Sequence, residues 1–360
     1  MTGSCTTRLR AFRLRALAGG FLLILSACNG GEDKEGPTAP ASLPADTTST
    51  TDTTTTGPVD STGTPGDTSG TTLPTDSTAL SSSVAAIDSR SALPGIVFAA
   101  DNIPSNLLSN VTTGSKRGGG IDQSNVLSLL SDARSRKARI ILKMSKGADS
   151  YIQNSDGTFS LTKWKSLVDR FKSVNLGPYI SDGTLLGHFL IDEPHRASKW
   201  GGKVIPQSTV EAMAKYSKQI WPGLNTFVHT QMSWLASSSV TYVYLDAGYA
   251  QYAANKGDVS SWISGEISKA RSKGLGLFAG VNALNGGNGS SGIRGTSSGS
   301  YSMSAKELKN YGSIILNQSY DCGFVVWAYN STYYSRSDIK SALSDLSNIA
   351  RSHAKTACRQ

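Results

Sequence analysis

From Ile87 onward, short apolar runs alternate with longer amphipathic ones, and this alternation restricts the fold more than any other feature of the 360-residue chain. Strand candidates are Gly95 to Ala100, Arg139 to Met144, Leu185 to Ile191, Thr226 to Thr230, Thr241 to Asp246, Leu275 to Val281 and Phe324 to Ala328. Helical spacing marks Gln123 to Arg136, Leu161 to Val174, Ser208 to Ile220, Ser260 to Lys273, Ala305 to Leu316 and Ser337 to Ala350, several opened by a capping Ser, Thr or Asp. Strands that alternate with helices are joined by crossovers, which gives a mostly parallel sheet. The length, about 270 residues, suits one (β/α)8 barrel of the TIM type. Seven strands leave closure one short, so an eighth is expected around Leu176 to Ile180, or else the barrel is irregular. The competitor is a doubly wound open sheet, but no Gly-x-Gly-x-x-Gly follows the first strand. Lys116-Arg117-Gly118-Gly119-Gly120 lacks phosphate-loop spacing and reads as a plain loop.

The chain divides into residues 1–27, 28–86 and 87–360. Arg8, Arg10, Arg13 and Arg15 precede an apolar run that ends at Leu25-Ser26-Ala27-Cys28, a secretory signal too short to span a membrane. Its last four residues resemble the bacterial lipobox, which implies cleavage before Cys28, lipid on its thiol and a place in the bacterial cell envelope. The alternative is an ordinary secreted protein. From Asn29 to about Ala85 nearly everything is Thr, Ser, Asp, Gly or Pro, too little apolar surface to offset chain entropy, so this stretch reads as a disordered tether.

Net charge is +9; the four arginines lie before Cys28, and Cys28 to Ala85 carries eight acids against one lysine, leaving +12 for the remainder. Such a field favours anionic partners, acidic polysaccharide among them. No nucleic-acid motif is present, and a monomer is expected. With Cys5 in the signal and Cys28 lipidated, Cys322 and Cys358 remain to pair or stay apart, since spacing alone does not establish proximity.

The run Leu185 to Ile191 ends abruptly in Asp192-Glu193-Pro194-His195. Pro194 cannot donate to a ladder, so it fixes where the strand stops. Two carboxylates at the C-terminal end of a barrel strand sit where such folds do chemistry. Other candidate strand ends supply Asp101, Lys143, His229 with Gln231, Asp246, Asn282 with Asn285, and Trp327 with Tyr329; Tyr244 and Tyr242 share the face of Asp246 by two-residue alternation.

Ile191-Asp192-Glu193-Pro194 resembles the strand-end Asn-Glu-Pro of many barrel glycoside hydrolases, with Asp192 replacing the asparagine, and Trp327 is similar to their aromatic sugar floor. The resemblance implies a glycosidase without a cofactor, acting on carbohydrate, with Glu193 as general acid. Such enzymes that retain configuration use a second carboxylate on a later strand. Glu211, Glu266 and Glu307 all fall in helical patterns, which leaves Asp246 as base or nucleophile and Asp192 as the neighbour that tunes Glu193. Asp101, Lys143, His229, Gln231, Tyr244, Asn282, Trp327 and Tyr329 are the expected substrate contacts.

Other roles stay open for several of these groups. Asp192 pairs with Arg196 or caps backbone, Asp246 caps a turn, and His188 is an interior histidine rather than a catalyst. Trp164, Trp221 and Trp262 are packing residues. Two rival functions remain: a carbohydrate-binding barrel without turnover, and a metal-dependent hydrolase in which His195, His229, Asp192, Glu193 and Asp246 converge. The metal reading lacks any ligand-spacing motif. The Gly/Ser-rich stretch Asn285 to Ser300 is either a lid or filler; as a lid it would bring Arg294 to an anionic substrate.

Overall fold

The computed structural model describes residues 94–358 except 110. The signal, Cys28 and the tether lie outside the described residues. Eight parallel strands close into a barrel in chain order: β1 (Val97–Asp101), β2 (Gly114–Arg117), β3 (Arg139–Leu142), β4 (Leu185–Asp192), β5 (Asn225–His229), β6 (Ala247–Tyr252), β7 (Gly276–Asn282) and β8 (Asp321–Trp327), with β8 pairing back onto β1. Nine helices follow among the described residues: α1 (Val126–Ser135), α2 (Leu161–Asp169), α3 (Gly177–Ser181), α4 (Gln207–Ile220), α5 (Met232–Ala236), α6 (Val259–Ser272), α7 (Ala305–Leu316), α8 (Ser331–Ser335) and α9 (Ser337–Ser352). None of them is long and apolar enough to cross a membrane. The TIM-type barrel expected from the alternation is therefore the fold.

Outward strand residues such as Phe98, Leu142, Val228, Leu277 and Phe324 pack beneath the helices, while Val97, Ala99, Ile141, Leu186, Phe189, Phe227, Phe278 and Val325 fill the interior. The rings of Phe227 and Phe278 meet at 5.0 Å and 64° in the middle. Each lies over a glycine on a neighbouring strand: a Cβ on Gly187 would stand 2.0 Å from Phe227, and one on Gly323 would stand 2.1 Å from Phe278. Truncating either ring to alanine would cost about 3–5 kcal/mol, because neighbours refill such a space only partly.

Three strand expectations are corrected. The eighth strand is β2, a four-residue Gly-Ser-Lys-Arg run with no apolar side chain, which takes the first two residues of the supposed Lys116 to Gly120 loop. Leu176 to Ile180 is no strand; it opens helix α3, with Pro178 in its first turn. Thr241 to Asp246 looks like a strand by composition, yet the strand begins at Ala247. The reason is local: Glu211 on α4 accepts from the amides of Val243, Tyr244 and Leu245 at 2.7, 2.8 and 3.0 Å, so these donors are satisfied by a carboxylate rather than a ladder.

Cys322 in β8 and Cys358 beyond α9 are joined by a disulfide, with Cα atoms 5.0 Å apart.

Candidate active site

At the C-terminal mouth the strands deliver charged groups in an unbroken series. Asp101, 3% exposed, pairs through Oδ2 with Lys116 Nζ at 3.1 Å, and that ammonium lies 4.2 Å above the Phe189 ring. Burial pulls the Lys116 pKa down, but the charges of Asp101 and Asp192 outweigh it and leave the pKa raised. Lys143, just past β3, donates to Asp149 Oδ1 at 2.7 Å and to the Gly147 carbonyl at 3.1 Å. Lys199 then joins Asp149 Oδ2 at 3.0 Å to Asp192 Oδ2 at 2.5 Å. Asp192 Oδ1 meets His229 Nδ1 at 2.6 Å, and the His229 ring stacks on Tyr249 from β6 with centroids 4.5 Å apart. These side chains are only 4–27% exposed, so the network is largely shielded from solvent and fixes both position and charge.

Two backbone features aim the β4 carboxylates. A register shift between Phe189 and Ile191 changes the phase of the strand, so His188 faces outward while Asp192 faces the barrel axis. Glu193 has φ +48°, the left-handed region that costs a non-glycine residue about 1–2 kcal/mol. Strict alternation would send Glu193 away from the mouth; the left-handed turn keeps it at the rim. Its amide donates to the His229 carbonyl at 2.9 Å, and Trp200 Nε1 donates to its carbonyl at 3.0 Å, holding the turn. Arg196 Nη1 lies 3.1 and 3.0 Å from the two carboxylate oxygens.

Burial alone would raise the Asp192 pKa, but His229, Lys116 and Lys199 bring it well below the usual carboxylate range. Asp192 is thus a fixed negative charge at neutral pH. His195 donates to or accepts from Thr230 Oγ1 at 2.9 Å, and burial pulls its pKa down to about 4 despite Glu193 nearby, so it is neutral.

Lys199 Nζ stands 2.5 Å from Asp192 Oδ2 and 3.8 Å from Glu193 Oε2. One ammonium thus reaches an oxygen of each carboxylate.

Asp246 is a correction. It precedes β6 and lies at the N-terminal mouth, fully buried, accepting from Thr226 N at 2.8 Å and pairing with Lys218 Nζ at 2.7 Å. It does not meet Glu193, and the five-residue metal cluster that included it does not assemble; no group of three or more potential ligands occurs among the described residues. Tyr244 is corrected with it, since its segment is held by Glu211 and its ring faces Lys215 at 5.6 Å.

Asp101, Lys143 and His229 do reach the C-terminal mouth, as do Gln231, Asn282, Trp327 and Tyr329. Gln231 is exposed on the rim before α5. Asn282 Oδ1 accepts from Asn285 N at 2.9 Å. Trp327 is half-buried at the end of β8, with a cis peptide bond to Ala328, and Tyr329 N donates to the Asp101 carbonyl at 2.9 Å. His188 bonds Ser217 Oγ at 2.9 Å and stacks on Trp164; burial lowers its pKa to about 3. The Gly/Ser loop is tied down, with Asn285 Oδ1 accepting from Thr296, Ser297 and Ser300, and Arg294 lies over Tyr301.

Lys116, Asp149, Lys199 and Tyr249 belong to this site although the sequence reading passed over them. Tyr249 and Gln251 follow by alternation once β6 is placed correctly.

No protein-family profile and no curated protein matches the chain. Among solved structures it is similar to a β-1,4-mannanase of glycoside hydrolase family 113 (12% identity, 75% of this chain, 92% of that one, TM-score 0.42). It is also similar to xylanase A of P. fluorescens subsp. cellulosa in complex with xylopentaose (11%, 72% and 99%, TM-score 0.44). A third is a β-galacturonidase from Eisenbergiella tayi bound to galacturonate (8%, 73% and 52%, TM-score 0.48).

Proposed function

We propose that the chain is a glycoside hydrolase acting on a poly- or oligosaccharide, with Glu193 as general acid and Asp192, in place of Asp246, as the partner carboxylate. The observation that carries this is the joint placement of the two carboxyl groups at the C-terminal mouth, bridged by Lys199 within the distances given above. Asp192, held ionised by His229 and Lys199, stabilises positive charge developing at the anomeric carbon or attacks it. Glu193 protonates the departing oxygen and then, as base, activates water. The half-buried Trp327 offers an apolar face to a sugar ring.

The test is turnover of a glycan panel by the parent and by Glu193→Gln and Asp192→Asn. Losses of about 100-fold or more are expected for each; attack by Asp192 on the anomeric carbon would show as retained anomeric configuration in the first product by proton NMR. If the parent releases no sugar but binds glycans as tightly as both variants do, the hydrolytic reading fails. One feature favours that binding alternative: β7, a later strand, ends in Asn282 rather than a carboxylate.

The lipobox-like Leu25 to Cys28 supports a lipid-anchored place in the cell envelope, on the periplasmic face or the cell surface. Cys28→Ser is expected to move the expressed protein from the membrane to the soluble fraction; unchanged fractionation would refute the anchor.

A further inference from the structure

Every carboxylate described above at the C-terminal mouth already has a cation: Asp101 has Lys116, Asp149 and Asp192 share Lys199, and Glu193 has Arg196. Lys256 is different. It ends the short turn Ala254–Lys256 directly after β6, half-buried, with Nζ 5.5 Å from the Trp262 ring centroid. Among the described residues no carboxylate is recorded within ion-pair distance of it, whereas the other mouth cations named above are all paired.

Two acids act on Lys256 from further away, Glu266 and Glu193. Both are committed elsewhere: Glu266 accepts from Met232 N at 2.7 Å, and Glu193 holds Arg196 at 3.0 Å. Its neighbour His195 is neutral and supplies no counter-charge. Burial outweighs the two acids and lowers the Lys256 pKa, as expected for an ammonium lacking a close counter-ion. A half-buried cation without a close counter-ion is unfavourable until an anion arrives to pair with it. Arg294, the anchor expected from sequence, lies over Tyr301 within the Gly/Ser loop.

We infer that Lys256 receives an anionic group, the carboxylate or sulfate ester of a charged sugar, on the substrate seated beside Glu193. This rests on the glycan-binding reading of the site but not on turnover. The basic balance of the chain beyond Ala85, +12 from the charges counted above, points the same way and would draw such a glycan in at low salt.

The experiment is calorimetric titration of the full chain, at low and at 150 mM salt, with three oligosaccharide sets: neutral, uronate-containing and sulfated. At least one anionic set should bind about tenfold tighter than the neutral set, equivalent to about 1.4 kcal/mol; which one does identifies the group. Lys256→Met should erase that difference and leave neutral binding unchanged, and Lys256→Arg should retain part of it. Melting curves establish that both variants fold. No preference in the parent, or a preference that survives Lys256→Met, overturns the inference. Outcomes for the two readings separate cleanly. Charged glycans bound through Lys256 without cleavage sink the hydrolase and leave this inference standing; Glu193-dependent cleavage indifferent to Lys256 does the reverse.

Discussion

Replacing Asp246 by alanine should weaken the fold and spare the chemistry. The carboxylate is 0% exposed, and its Oδ2 alone receives Thr226 N at 2.8 Å, Thr226 Oγ1 at 3.2 Å and Lys218 Nζ at 2.7 Å. The Lys218 side chain is itself only 13% exposed, so alanine at 246 strands a largely buried ammonium and a backbone donor together. Removing one member of a buried pair costs about 3–5 kcal/mol. A domain of this size shifts by about 2–4 °C per kcal/mol, so the melting temperature should fall by on the order of 10 °C. Differential scanning calorimetry measures the fall, and kcat on the best glycan at 25 °C should stay within about twofold of the parent, since the site lies at the opposite mouth. The double variant Asp246→Leu with Lys218→Met should regain much of the loss, because apolar replacement of a buried pair is often neutral. A melting temperature within about 2 °C of the parent, combined with a hundredfold loss of kcat, would falsify the placement of Asp246 as structural.

Two further outcomes bear on the same barrel. Cys322→Ser should cost about 3–4 kcal/mol, the chain-entropy value for a loop of 36 residues, and dithiothreitol should lower the melting temperature of the parent but not of the variant; an indifferent parent would contradict a formed bond. Asp321, at the start of β8, has both carboxylate oxygens buried without a partner, and burial holds its pKa well above the ordinary value. A raised acid pKa stabilises the fold below the unfolded value near about 3.9 and loses that contribution as pH climbs towards the folded value. Asp321→Asn should therefore raise the melting temperature at pH 7 by an amount equivalent to upward of about 1 kcal/mol, with the gain shrinking towards pH 4; a variant less stable at pH 7 would refute it.

What could be read from the chain follows from where the physics is local. β4, β7 and β8 announce themselves because strands buried on both faces are continuous apolar runs. β2 and β6 do not: Gly-Ser-Lys-Arg and Ala-Gly-Tyr-Ala-Gln-Tyr carry small or charged residues into a crowded wall, where fit against neighbours decides the strand. The decoy before β6 has the right composition but gives its amides to Glu211, a partner 32 residues upstream of Val243. Glu193 was legible because Pro194 ends the strand there. The company of Glu193 was not, since Asp149, Lys199 and Lys256 come from short turns without a periodic signature, and the β4 register shift that turns Asp192 inward leaves no mark in a run of apolar residues.

The two phenylalanines wedged over Gly187 and Gly323 make the barrel a blind cup. Nothing passes along its axis, so under the proposed activity a glycan polymer could not thread through; it would have to lie across the rim, and both fragments after a cut would leave by the side they entered. Release would then be governed by how tightly the rim grips each fragment. For a charged fragment, the ions ringing that rim would make departure the salt-sensitive step.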